Sequence, residues 1–126
     1  MRFISTRTHG IADYLIGILL IIAPWLLGFA NGGAAQWVPI ILGLGLIAYS
    51  LLTDYELGVS AMIPMPIHLG LDIAGGAILA VSPWLFGFAD TVFWPHLIVG
   101  LVEIAAGLTT RRVPGYARAS ETMSPR

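Results

Sequence analysis

His9, Asp13, His68, Asp72 and Glu103 are ionisable side chains that stand inside otherwise apolar stretches of this sequence. His9 with Asp13, and His68 with Asp72, are spaced i to i+4, which on a helix stacks imidazole and carboxylate on one face. Each carboxylate then lies about 6 Å further along the axis than its histidine. Imidazole plus carboxylate is a donor set for a divalent transition metal and equally for a proton relay. The structural alternative is that each pair satisfies itself, caps a helix start, or pairs with Arg7, Arg111 or Arg112, and a carboxylate near a helix N-terminus also gains from the helix dipole. Glu103 is set among Leu101, Val102, Ile104 and Ala105. Inside a membrane span an ionisable group costs at least about 2.5 kcal/mol on insertion scales, so it is a functional candidate unless it is neutral and hydrogen-bonded to a neighbouring helix.

The elements that must hold these groups are membrane helices. The 126-residue chain is 57% hydrophobic and 10% charged, with a mean hydropathy of +0.86, whereas charged residues make up about a quarter of a soluble domain. Apolar segments at residues 9–29, 36–52, 67–88 and 93–110 each predict a spanning helix. The second and fourth are short, about 25 Å by helical rise, which implies little tilt or local thinning of the bilayer. Residues 31–35 and 90–92 only reverse the chain, so the helices pair as hairpins. The longer link at 53–66 carries Asp54 and Glu56 and then an apolar run, 59–65, expected to lie in the interface. Residues 11–29 exceed the roughly 7–15 residues of a secretory signal core, and a copy recurs mid-chain, so the first segment is expected to be retained.

All six basic residues are arginines near the ends, Arg2, Arg7, Arg111, Arg112, Arg118 and Arg126. By the positive-inside rule this predicts a multi-pass protein of the cell (inner) membrane with both termini cytoplasmic, and it is not a nucleic-acid-binding pattern. The absence of cysteine excludes disulfides and thiolate chemistry.

Laid over itself at an offset of 59, the chain aligns His9 with His68, Asp13 with Asp72 and Gly17 with Gly76; past the first loop an offset of 57 aligns Trp37 with Trp94 and Gly43 with Gly100. The expected fold is therefore an all-α four-transmembrane-helix bundle of two tandem helical-hairpin repeats, about 9–58 and 68–111, related by a pseudo-twofold axis along the membrane normal. It forms one membrane domain, 1–112, followed by a polar cytoplasmic tail, 113–126. Glu103 has no counterpart, since Leu46 occupies its place in the first repeat.

The repeats also share a motif: Ser82, Pro83, Trp84 and then Gly87, with the partner Ala23, Pro24, Trp25 and Gly28. With the phenylalanine after each glycine, it resembles the SPW-repeat family of small prokaryotic membrane proteins, a resemblance that covers residues 9–111 and implies a membrane fold without an established activity. Physically, each proline should kink its helix about one turn from the external end. The tryptophan then anchors at the interface and the glycine permits termination. The first copy has Ala23 in place of serine.

No nucleophile triad, phosphate loop or metalloprotease helix is present, so neither an enzyme nor a cofactor is expected, and a metal is left open. Two functions fit. One is a small structural or accessory integral membrane protein acting in the lipid bilayer through helix packing, self-association into a homo-oligomer or a membrane-protein partner. The other is an ion or small-solute transporter or sensor using His9, Asp13, His68, Asp72 and Glu103 as a cytoplasm-facing cluster. Helix rotation separates them, because the second requires those side chains to share one interior.

Overall fold

The computed structural model describes residues 1–117. Four helices follow one another, α1 (Thr6–Leu26), α2 (Ala34–Leu51), α3 (Met65–Leu85) and α4 (Trp94–Thr109); among the described residues there is no strand beyond two isolated bridges. α1 starts ahead of its apolar stretch because Ser5 caps it, its hydroxyl oxygen accepting from the Thr8 N–H at 3.1 Å. α1 packs along α2 and α3 along α4, with a lesser contact between α2 and α3. Of the expected polar tail, 113–117 is described: Gly115 N–H donates to Glu56 at 2.7 Å and the Tyr116 hydroxyl donates to Asp54. The rest of that tail, including Arg118 and Arg126, lies outside the described residues.

α1, α2 and α3 are long and apolar enough to cross a membrane; α4, at 16 residues, is shorter. It nonetheless reaches back to the level where α1 begins, because Phe3 and Ile4 N–H both donate to the Thr109 carbonyl at its end, at 2.8 and 3.0 Å. Leu15, Ile18, Ile41, Leu44, Ile78 and Leu101 point outward, whereas His9, Asp13, Ser50, His68, Asp72 and Glu103 are buried. Apolar outside and ionisable inside is the arrangement of a protein solvated by lipid.

Two small-residue crossings draw each hairpin tight. A Cβ built on Gly43 would meet the Gly17 carbonyl oxygen at 2.7 Å, and one on Gly100 would meet the Gly76 carbonyl oxygen and the Ala80 nitrogen at 2.5 Å each. These are backbone atoms that cannot swing aside, so the helices approach this closely only where there is no side chain.

The contacts that close the end of the bundle recur at the offsets found in the sequence. Arg111 N–H donates to the Ile4 carbonyl at 2.9 Å, and Asp54 N–H to the Ile63 carbonyl at 2.8 Å. Thus the segment before α1 is bonded to the end of α4, and the segment before α3 to the end of α2. Arg2 adds a cation at the α4 C-terminus, its guanidinium donating to the Gly107 and Thr110 carbonyls at 2.9 and 2.7 Å.

At the opposite end the shared motif is a helix stop. α1 and α3 run through Pro24 and Pro83, where a kink is expected from the sequence, and end two residues later, at Leu26 and Leu85. Gly28 and Gly87 adopt φ of +77° and +74°. Phe29 and Phe88 N–H then donate back to the Pro24 and Pro83 carbonyls at 2.8 Å each. This is the Schellman arrangement, in which a left-handed glycine lets the next residue reach three positions inside the helix end. Trp25 and Trp84 face outward, while Phe29 and Phe88 are buried together with Ala23 and Ala35.

The serine has its own part in this stop. Pro83 has no N–H and so leaves the Leu79 carbonyl without its helical donor; the Ser82 hydroxyl donates to that carbonyl at 2.7 Å. Ser82→Ala should therefore lower thermal stability in detergent by about 1–2 kcal/mol, and an unchanged melting temperature would show that the carbonyl has another donor. A parallel repair serves α2: Pro39 frees the Ala35 carbonyl, and the His96 Nε2–H of α4 donates to it at 2.8 Å.

Candidate functional site

His9 and Asp13 project from the first turns of α1, and His68 and Asp72 from the first turns of α3. All four are buried and meet at one centre, with one donor atom from each lying within 4.8 Å of the others. His9 Nε2 lies 2.7 Å from Asp72 and 3.0 Å from Asp13. His68 Nε2 lies 3.0 Å from Asp13 and 3.3 Å from Asp72. Each histidine thus contacts the aspartate of its own helix and that of the other hairpin, and each aspartate both histidines. The contact expected within each pair is present, and a second contact crosses to the other hairpin, so the ion pairs found among the described residues join these histidines and aspartates in a closed ring, because the i to i+4 faces of α1 and α3 are turned toward each other.

The ring nitrogens have fixed roles. The Thr110 hydroxyl donates to the Ala106 carbonyl at 2.7 Å, so its oxygen can only accept from His9 Nδ1–H, also at 2.7 Å. The Thr53 hydroxyl donates to the Tyr49 carbonyl at 2.6 Å and accepts from His68 Nδ1–H at 2.7 Å. Both imidazoles therefore carry a proton on Nδ1 and present Nε2 to the carboxylates. The carboxylates are held in turn: Tyr49 donates to Asp72 at 2.5 Å, and Tyr55 to Asp13 at 2.8 Å. Tyr55 belongs to the link between hairpins, where burial and then the Asp13 charge push its phenol above the usual range and keep it a donor. It is seated on Met65, Leu69 and Leu57, and Tyr14 secures that link by donating to the Leu57 carbonyl at 2.7 Å.

His68 Nε2 differs from its counterpart. It is fully buried and close to two carboxylates, yet none is aligned to hydrogen-bond with it. A buried polar atom without a partner is costly in a low-dielectric interior, and this one is aimed into the centre of the cluster.

Glu103 is not in the ring. It is buried on α4 and lines a cavity of about 240 Å³ between α2 and α3, whose wall also includes Asp72, Tyr49, Gly45 and Gly75. The motif residues Pro24, Trp25, Gly28, Ser82, Pro83, Trp84 and Gly87 lie at the other ends of their helices, where Trp84 packs on Phe93 with ring centroids 5.9 Å apart.

Sequence reasoning missed Thr53, Thr110, Tyr49 and Tyr55. The threonines had a signal: at the offset of 57 they are counterparts, and the histidine of each hairpin is held by the threonine that ends the other. The tyrosines had none, because Tyr49 aligns with Ala106 and Tyr55 with Arg112.

Apolar helices with an ionisable interior define a helical membrane protein with a buried polar centre. Residues 7–110 match the SPW repeat domain, and the chain belongs to that family. No curated protein and no solved structure matches it.

Proposed function

We propose that this chain is a small ion-handling membrane protein, a carrier or sensor that takes a proton or small cation at the His/Asp centre between its two hairpins. The observation that supports this reading is the convergence of His9, Asp13, His68 and Asp72 on one point, with both Nε2 atoms turned inward. Packing alone does not call for it, since well-packed apolar residues in place of a buried ionic cluster are often as stable or more so. The cavity along Asp72 and Glu103 is the approach to the centre from the α2–α3 side.

The reading carries a topology. Arg2, Arg7, Arg111 and Arg112 accompany the cluster end, which the positive-inside rule assigns to the cytoplasm of a cell (inner) membrane protein. The recurrence of the His–Thr contacts and end bridges at offsets of 59 and 57 supports a duplicated hairpin with a pseudo-twofold axis along the membrane normal.

A structural or accessory role, with a homo-oligomer or a membrane-protein partner, is the second reading. It is favoured by the balance of the ring, in which two imidazoles and two carboxylates bind α1 to α3 as a clamp needing nothing else. Proteoliposomes separate the two. Under an imposed pH or cation gradient, wild-type protein should pass ions above the leak of empty vesicles, and Asp72→Asn or Glu103→Gln should return the flux to that leak. Wild-type flux equal to empty vesicles, with occupancy of the centre causing no change in conformation, leaves the clamp.

A further inference from the structure

The geometry points to a tetrahedral site for a divalent first-row transition cation, of the Zn2+ and Co2+ type, with His9 Nε2, His68 Nε2 and one oxygen each of Asp13 and Asp72 as its ligands. This rests on the ion-handling reading and names the class of ion.

Four observations carry it. The first is donor spacing. Four-coordinate Zn2+ with bonds of about 2.0 Å to nitrogen and oxygen holds its donors about 3.3 Å apart. Asp72 Oδ2 lies 2.7 Å from His9 Nε2 and 3.3 Å from His68 Nε2, while Asp13 meets the two histidines through different oxygens, Oδ1 and Oδ2, at 3.0 Å each. One donor atom from each residue falls within 4.8 Å of the others, so a cation enters with a small adjustment of the ring and a turn of the Asp13 carboxylate onto one oxygen.

The second is nitrogen orientation. A metal-bound imidazole holds its other N–H on an outer acceptor, which fixes the tautomer and aims the lone pair. Thr110 and Thr53 do this for His9 and His68, their own hydroxyl protons being committed to helix carbonyls. Tyr49 and Tyr55 do the same for the carboxylates, so all four ligands have outer partners from other elements.

The third is the orphan. His68 Nε2 is buried and aimed at the centre without an aligned partner there, and a cation supplies one. The fourth is charge. Two carboxylates balance a divalent cation with both imidazoles neutral, so the loaded centre adds no net charge to a low-dielectric interior. Two nitrogens among four donors also select against Mg2+ and Ca2+, which take six or more oxygens.

The test uses full-length protein purified in detergent and freed of metal with a chelator, titrated with Co2+ and followed by its visible d–d spectrum. One Co2+ per chain with the intense bands of tetrahedral coordination, displaced by Zn2+ and not by excess Mg2+ or Ca2+, is the expected result. His9→Gln with His68→Gln should remove the bands. Since that variant strikes the core, Thr53→Val and Thr110→Val, which keep every ligand, should each weaken Co2+ by about 10–100-fold. The assignment is overturned if folded wild type takes up neither Co2+ nor Zn2+, if the spectrum is octahedral, or if the threonine variants bind as wild type does. Absence of metal binding alongside an Asp72-dependent proton flux in vesicles removes the metal and keeps the ion-handling reading; absence of both removes both.

Discussion

Asp72→Asn should destabilise the protein by about 3–5 kcal/mol, the loss expected when one partner of a buried charge cluster is removed and the others stay buried. Asp72 is fully buried, accepts from His9 at 2.7 Å and from Tyr49 at 2.5 Å, and faces His68. The asparagine amide leaves the imidazoles of both hairpins to share the single Asp13 carboxylate and presents donors where two donors already point. Unfolding by a denaturing detergent, followed by helix circular dichroism, measures the loss. Glu103→Gln is the comparison, since Glu103 lines the cavity outside the ring and its change should be several-fold smaller. A loss below about 1 kcal/mol for Asp72→Asn would mean that the cluster does not hold the hairpins together.

The second large effect is steric. Gly100→Ala places a methyl 2.5 Å from the backbone of α3, closer than any side-chain carbon sits, so α3 and α4 must separate along their length. Overpacking of this kind costs about 1–3 kcal/mol, and leucine at the same position should prevent the hairpin from forming. Gly75→Ala is the control. Nothing lies within 4 Å of its added carbon, so the change should stay within about 0.5 kcal/mol. Equal melting temperatures for Gly100→Ala and wild type would show that the crossing is looser than described.

The helices were legible because hydropathy over some 20 residues is a strong signal, and each reversal fell in a loop too short for another path. Their ends were less so: α1 begins at Thr6 because of the Ser5 cap, not because of apolar composition. The i to i+4 spacing identified which residues matter at the site. It could not say whether His9 turns toward Asp13 alone or also toward Asp72, because that depends on how α1 and α3 are rotated about their axes. Rotation follows from packing between elements distant in sequence, such as Gly17 on Gly43 and Gly76 on Gly100. The outer partners were hidden for a related reason: Thr53 and Thr110 are ordinary helix-end residues until the opposite hairpin brings a histidine to them. His96 was passed over because its task, donating to a carbonyl that Pro39 vacates, involves two unremarkable residues 57 positions apart.

The exchange of threonines between hairpins also sets a schedule for synthesis. His68 finds Thr53 in chain made before it, but His9 has to wait for Thr110, the residue that follows the last helix. A ribosome-bound chain that has made only its first hairpin and the link after it therefore holds Asp13 with its partner Tyr55 already in hand, but carries His9 without its outer partner. The contact of His9 is completed last, when Thr110 arrives behind the final helix.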